Sequence, residues 1–228
     1  MKMKPTLIKR MNLFLIIIAL LVHGFLTDKV HAQSETGPPG VEVKKIAVMP
    51  FLIGRYGSTV SETLNAPISR LYFNPENIGN NPDQVLTGYV QEALKAKHGE
   101  RVVTLADARV AYERISKDRE KDTPRILAQK VGKALGANLI MAGNIWRYKE
   151  RTGGSVGVER PASVAFAIYL IDVPGGKMLW KAKFEETQRS LSENILDAKA
   201  FFKKGAKWLS ANDLARYGVK EIFKKYPF

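Results

Sequence analysis

Cysteine is absent from all 228 residues. No disulfide can brace the fold, and the lipid-bearing Cys of a bacterial lipoprotein is missing, so packing alone must hold the chain together. Histidine is nearly as scarce, since only His98 lies beyond residue 32. One His without Cys cannot furnish the ligand sets of zinc sites. No glycine-rich loop ends in Gly-Lys-Ser/Thr, which removes a triphosphate site of that type. Nor does any apolar run reach the roughly 20 residues needed to span a bilayer comfortably.

The longest apolar run, Leu13 to Val22, follows Lys2, Lys4, Lys9 and Arg10 and precedes Val30-His31-Ala32, small residues at the usual cleavage spacing. Residues 1–32 therefore read as a cleavable signal peptide, with a mature chain starting at Gln33, exported to the periplasm and without a transmembrane segment. Residues 33–43, with Gly37-Pro38-Pro39-Gly40, read as a linker, and 44–228 as one domain. Losing the leader leaves 31 basic against 21 acidic residues, a net charge of +10. Such a surplus favours anionic partners: lipid head groups, glycans or an acidic protein face.

The domain alternates strand and helix signals. KKIAVMPFLI, residues 44–53, is apolar almost throughout and predicts a strand covered on both faces. Residues 54–82 form a long polar insertion around Leu71-Tyr72-Phe73. Loops of that length are often functional. Asn81 followed by Pro82 predicts a helix start, with Val85, Leu86, Tyr89, Val90, Ala93 and Leu94 as its apolar stripe. Arg101–Leu105 is a strand candidate, and a helix is predicted over 107–117. Thr123-Pro124 opens another helix that ends at Gly136.

GANLIMAGNIW, residues 136–146, then enters the core as the strand at 138–149. In 161–173, Val164, Phe166, Ile168 and Leu170 alternate with Ala165, Ala167, Tyr169 and Ile171. After the turn Pro174–Lys177, Met178, Trp180, Ala182 and Phe184 share one face of the next strand and Leu179, Lys181, Lys183 and Glu185 the other, wet one. Ser190 with Glu193 and Ser210 with Asp213 predict capped helices, and Leu209 with Leu214 a hydrophobic staple. The last helix buries Ala215, Val219, Ile222 and Phe223, and shows Arg216, Lys220 and Lys224 to solvent.

Catalytic motifs fail on inspection. Gly153–Gly157 matches Gly-x-Ser-x-Gly around Ser155, but strands flank it where a nucleophile elbow needs a helix, and His98 precedes it. Asp118, Glu120 and Asp122 are interleaved with Arg119 and Lys121 and lack the rest of a calcium loop. No catalytic, cofactor-binding or metal residue is assigned, and no cofactor is expected. Trp146–Arg151 interleaves aromatics with cations, yet export argues against nucleic acid. On a regular strand Trp146 and Tyr148 share one face and Arg147, Lys149 and Arg151 the other. Candidate partner-binding residues are Leu71, Tyr72, Phe73, Arg147, Lys149, Arg151, Arg160, Lys220 and Lys224.

KKIAVMPF, LGANLIMAGNIW and VAFAIYLIDVPGGKMLWKAKFEE, in that order, make residues 44–187 resemble the CsgG-like and TolB N-terminal-domain-like group of bacterial envelope proteins. The resemblance implies an α/β single-domain sandwich with a mixed sheet, ordered strand, helix, strand, helices, three-strand meander and C-terminal helices. It also implies a non-enzymatic accessory or scaffold of an envelope assembly or transport system, with envelope proteins or further copies of itself as partners. The lipidation Cys of that group is missing, and 54–82 is too polar and Pro-rich for membrane-crossing hairpins. A periplasmic module for an anionic ligand, glycan or lipid head group is the alternative.

Overall fold

The computed structural model describes residues 30–33, 40–53, 81–117, 122–153, 158–188 and 208–228. Its strands are β1 (Val30–Gln33), β2 (Ile46–Val48), β3 (Leu52–Ile53), β4 (Leu139–Lys149), β5 (Thr152–Gly153), β6 (Val158–Arg160), β7 (Ser163–Asp172) and β8 (Met178–Thr187). The helices are α1 (Pro82–His98), α2 (Leu105–Ile115), α3 (Pro124–Ala134) and α4 (Ala211–Phe223). The main sheet runs β1-β8-β7-β4-β2, with β3 continuing beside β4. Strands β2 and β3 lie parallel to β4, and the remaining pairs are antiparallel, so the fold is α/β with a mixed sheet.

Period-two alternation decides what each face of the sheet covers. Leu139, Met141, Ile145, Phe166, Ile168, Trp180 and Phe184 pack with α1 and α4. Ala47, Met49, Ile140, Ala142 and Ile171 pack with α2 and α3 on the other side. The sandwich is thus helix, sheet, helix. Beyond α2 and α3 the second face carries a smaller cluster of Trp146, Ala165, Ala167 and Tyr169.

The strand expected over 44–53 is split in two, and the reason is local. Pro50 has no N–H to give, and the Phe51 N–H leaves the ladder to donate to Thr87 Oγ1 of α1 at 3.0 Å. The Phe51 ring then lies on Gly143 of β4, where an added Cβ would stand 2.1 Å from Cε1. Only glycine admits that ring.

The strand expected over 101–105 is a 3-10 turn, Gly99–Arg101, and a single parallel bridge between Ile46 and Val102. Thr104 pre-empts the rest, because its Oγ1 accepts the Asp107 N–H at 3.2 Å while donating to Asp107 Oδ2 at 2.7 Å. That cap starts α2 at Leu105, two residues earlier than the apolar period indicates. Asn81 caps α1 through its carbonyl, which accepts the Val85 N–H at 3.2 Å; its own φ of 51° is left-handed and its side chain makes no cap bond. Thr123 and Ser210 cap as the sequence predicts, Gly136 has a φ of 62°, and Leu209 and Leu214 are buried in one core.

Two irregularities move side chains across the sheet. A register shift between Ile145 and Arg147 sends Tyr148 into the α1–α4 core while Trp146 lies with Ala165 and Tyr169, so the two aromatics do not share a face. A second, between Leu170 and Ile171, pairs Met178 with Ile171 and packs it beside Trp146 and Tyr169, apart from Trp180, Ala182 and Phe184. The alternation expected in β7 is otherwise followed.

Asn138, the residue before β4, fastens the segment that leads into β2. Its Oδ1 accepts from the N–H groups of Lys44 and Lys45 at 3.1 and 2.9 Å, and its Nδ2 donates to Glu42 O at 2.7 Å. Gln188 does the same near the C-terminus, its Oε1 accepting the Leu209 N–H at 2.7 Å. Residues 1–29, the insertion at 54–80, the Ser155 loop and the Ser190–Glu193 cap lie outside the described residues. Among those described, no helix is long and apolar enough to cross a membrane.

Candidate functional site

Helices α1 and α4 lie side by side on the sheet and leave a groove of about 450 Å³ between their outer faces. Ala93 and Ala96 of α1 keep the near wall low, and Val219 and Phe223 of α4 floor it with apolar surface. The same helices send Leu86, Val90, Leu94, Leu214 and Ile222 into the core, so the groove faces are the flanks of two amphipathic stripes.

Cations rim this groove. Lys97, Arg216, Lys220 and Lys224 line it, against the single carboxylate of Glu92. Arg216 stacks on the Tyr89 ring at 4.1 Å and its Nη1 meets Glu92 Oε2 at 3.1 Å, which holds the guanidinium across the two helices. Lys97 lies 5.6 Å from the Tyr226 ring centroid, and Lys224 pairs with Glu221 one turn back. Lys220 is exposed on the rim. An apolar floor with a positive rim suits a partner that is anionic and carries apolar surface.

The second candidate surface is the end of β4 and the β5–β6 hairpin. Tyr148 donates to Asn212 Oδ1 at 2.6 Å, and burial pushes its phenol above the ordinary range. The Glu150 carboxylate accepts the Ala211 N–H at 3.0 and 3.2 Å and the Arg151 N–H at 2.9 Å. A carboxylate at the first turn of α4 satisfies an orphan donor and complements the positive end of the helix dipole. The end of β4 is thus pinned to the helix that walls the groove.

Arg147 is not a free cation. Its Nη1 meets Glu185 Oε1 at 3.0 Å, and Lys183 binds the other oxygen of the same carboxylate. Burial pushes Glu185 up, but the bond and charge of Lys183, with those of Arg147, outweigh it and hold the carboxyl below its usual range. Lys149 and Arg160 are exposed, and Arg151 Nη1 reaches Gly153 O at 3.5 Å. Leu71, Tyr72 and Phe73 lie outside the described residues.

His98 is occupied structurally. It is buried, and its Nε2 lies 3.1 Å from Tyr226 Oη. Burial, then Arg101 and Lys97, lower its pKa, so the ring is held neutral. Asp122 accepts two hydrogen bonds from Lys130 Nζ, at 2.7 and 2.8 Å. Among the described residues, no group of three or more His, Asp or Glu could hold a metal ion.

The structure brings Lys220 and Lys224 together with Lys97 and Tyr89, which the candidate residues had not included. The helical periods of α1 and α4 place each residue on its helix. That two helices more than a hundred residues apart are neighbours is a tertiary fact with no local signal.

No protein-family model matches the chain, and no curated protein matches it. Among solved structures, the chain is similar to a point variant of PelC from Paraburkholderia phytofirmans, a dodecamer, at 14% identity over 87% of this chain and 98% of that one, with a TM-score of 0.48. The LpoB C-terminal domain from Salmonella enterica is 15% identical over 66% of this chain and 87% of its own, with a TM-score of 0.38. Lipoprotein GNA1162 from Neisseria meningitidis is 18% identical over 72% and 92%, also at 0.38. At these levels the likeness transfers no function, which has to come from the chain's own residues.

Proposed function

We propose that this chain is exported to the periplasm and works there by protein binding, as a non-enzymatic accessory or scaffold of a bacterial envelope assembly or transport system. The α1–α4 groove is the observation that carries the reading, because an open apolar floor lies beside four cations, two of which, Arg216 and Lys224, are paired with Glu92 and Glu221. The leader pattern at 1–32 and the resemblance over 44–187 support the compartment. The 54–82 insertion, with Leu71, Tyr72 and Phe73, and the hairpin end at 147–160 are its further contact surfaces.

The test is capture from envelope extracts by the exported protein and by a Lys220→Glu/Lys224→Glu variant with native-like far-ultraviolet dichroism. A partner captured by the first and lost by the second supports the groove. An identical captured set from both proteins would sink it. Deleting residues 56–78 addresses the insertion in the same assay, and light scattering behind size exclusion reports whether the partner is a further copy of the chain.

The cation rim favours one other reading, a binding module for an anionic ligand, glycan or lipid head group. Binding to anionic vesicles that weakens at least about tenfold from roughly 50 to 300 mM salt would support it. Salt-insensitive or absent vesicle binding would remove it.

A further inference from the structure

The expected cleavage site falls inside the sheet. Strand β1 is Val30–Gln33, and it forms the outer edge of the sheet by antiparallel pairing with β8: Val30 opposite Phe184, His31 opposite Lys183, Ala32 opposite Ala182 and Gln33 opposite Lys181. Cutting between Ala32 and Gln33 removes three of the four paired residues. Among the described residues, strand β8 then becomes the edge, and its groups along Ala182–Phe184 lose the partner that β1 gave them.

What could cover that edge is constrained by its charge. Lys181 and Lys183 point to the wet side of β8, while Trp180, Ala182 and Phe184 are buried in the core. Glu185, the acid on the same side of β8, is already shared by Lys183 and Arg147. A second copy pairing antiparallel about Ala182 would set Lys181 against the other copy's Lys183 twice over, the like-charge opposition that edge lysines provide against self-association. A strand with acids at the places of His31 and Gln33 would instead meet a lysine at each.

We propose that processing after Ala32 opens the β8 edge, and that the opened edge takes an extended acidic strand from a partner protein. The mode is strand addition: backbone bonds give affinity, and the two lysines give selectivity. The proposal rests on the export reading, and two separate measurements keep their failures apart.

Intact mass of the protein recovered from the periplasm tests the first step, with a start at Gln33 expected. A chain retaining Val30–Ala32 overturns the opening of the edge. The second step is read by titrating that exported, 15N-labelled protein with two heptapeptides built on residues 28–34, one with Glu at both 31 and 33, the other with Lys. The Glu peptide is expected to shift the amides of Lys181–Phe184 and to bind about tenfold tighter than the Lys peptide, the size two exchanged cross-strand charge pairs allow. Lys181→Glu/Lys183→Glu should reverse that order. Equal binding of both peptides, no shift at 181–184, or a dimer in light scattering whose interface is β8 overturns the acidic strand as occupant.

Discussion

Gly143→Ala tests whether the Phe51 ring is the reason that position 143 of β4 is glycine. The new Cβ would lie 2.1 Å from Cε1, 2.2 Å from Cζ and 2.4 Å from Cδ1, where ordinary contact begins near 3.4 Å. The ring has little freedom to withdraw. Phe51 is 3% exposed, its N–H is tied to Thr87, and its ring meets Phe166 edge-on at 6.5 Å between centroids. Overpacking of this kind costs about 1–3 kcal/mol, and an immovable aromatic places Gly143→Ala near the upper end. For a chain of this size that is a drop of roughly 6–12 °C in Tm. Phe51→Ala alone should cost about 3–5 kcal/mol by emptying the site. In the double variant the clash has no partner, so its cost should equal that of Phe51→Ala alone, a coupling of about 3 kcal/mol. Urea unfolding followed by tryptophan fluorescence measures all four corners of the cycle. Additive losses would refute the contact as the reason for the glycine.

Asn138→Ala removes three hydrogen bonds to backbone at residues 42, 44 and 45 and should cost about 1–3 kcal/mol in the same unfolding assay; an unchanged midpoint would mean water replaces the side chain at no loss. Because the folded chain holds His98 neutral, the unfolded chain binds more protons near the ordinary His pKa of 6.5. Stability should therefore be complete above that pH and fall as pH drops below it towards the lowered folded pKa; His98→Gln should flatten that slope between about pH 7.5 and 5, and a slope unchanged in the variant assigns it to other groups. Glu150→Gln keeps the shape of the α4 cap but loses its charge, which should cost about 0.5–1 kcal/mol and raise amide exchange at Ala211; unchanged exchange would mean the dipole contact contributes nothing.

The sequence carries the order of elements well because each major element announces itself locally. Thr123-Pro124 and Ser210-x-x-Asp213 place helix starts by hydrogen-bonding chemistry that needs only neighbours, and the β7 alternation assigns both faces of that strand. It fails where one residue changes the count. The shifts at Ile145/Arg147 and Leu170/Ile171 invert everything on one side, which is why Trp146 and Tyr148 separate and Met178 leaves the face of Trp180. Thr104 was legible as a Thr-x-x-Asp cap, but the apolar period drew the helix start past it. The groove was half legible. Its lysines stand out on α4, whereas Tyr89 and Lys97 become part of it only when α1 is set beside α4.

The Glu150 carboxylate has a consequence for how the strand end and the helix start are held. It belongs to the strand that leads into the β5–β6 hairpin, yet its bonds end on Ala211, the first residue of the helix walling the groove. One carboxylate thus ties the strand end to the helix start, so a substitution at Glu150 removes both ties at once.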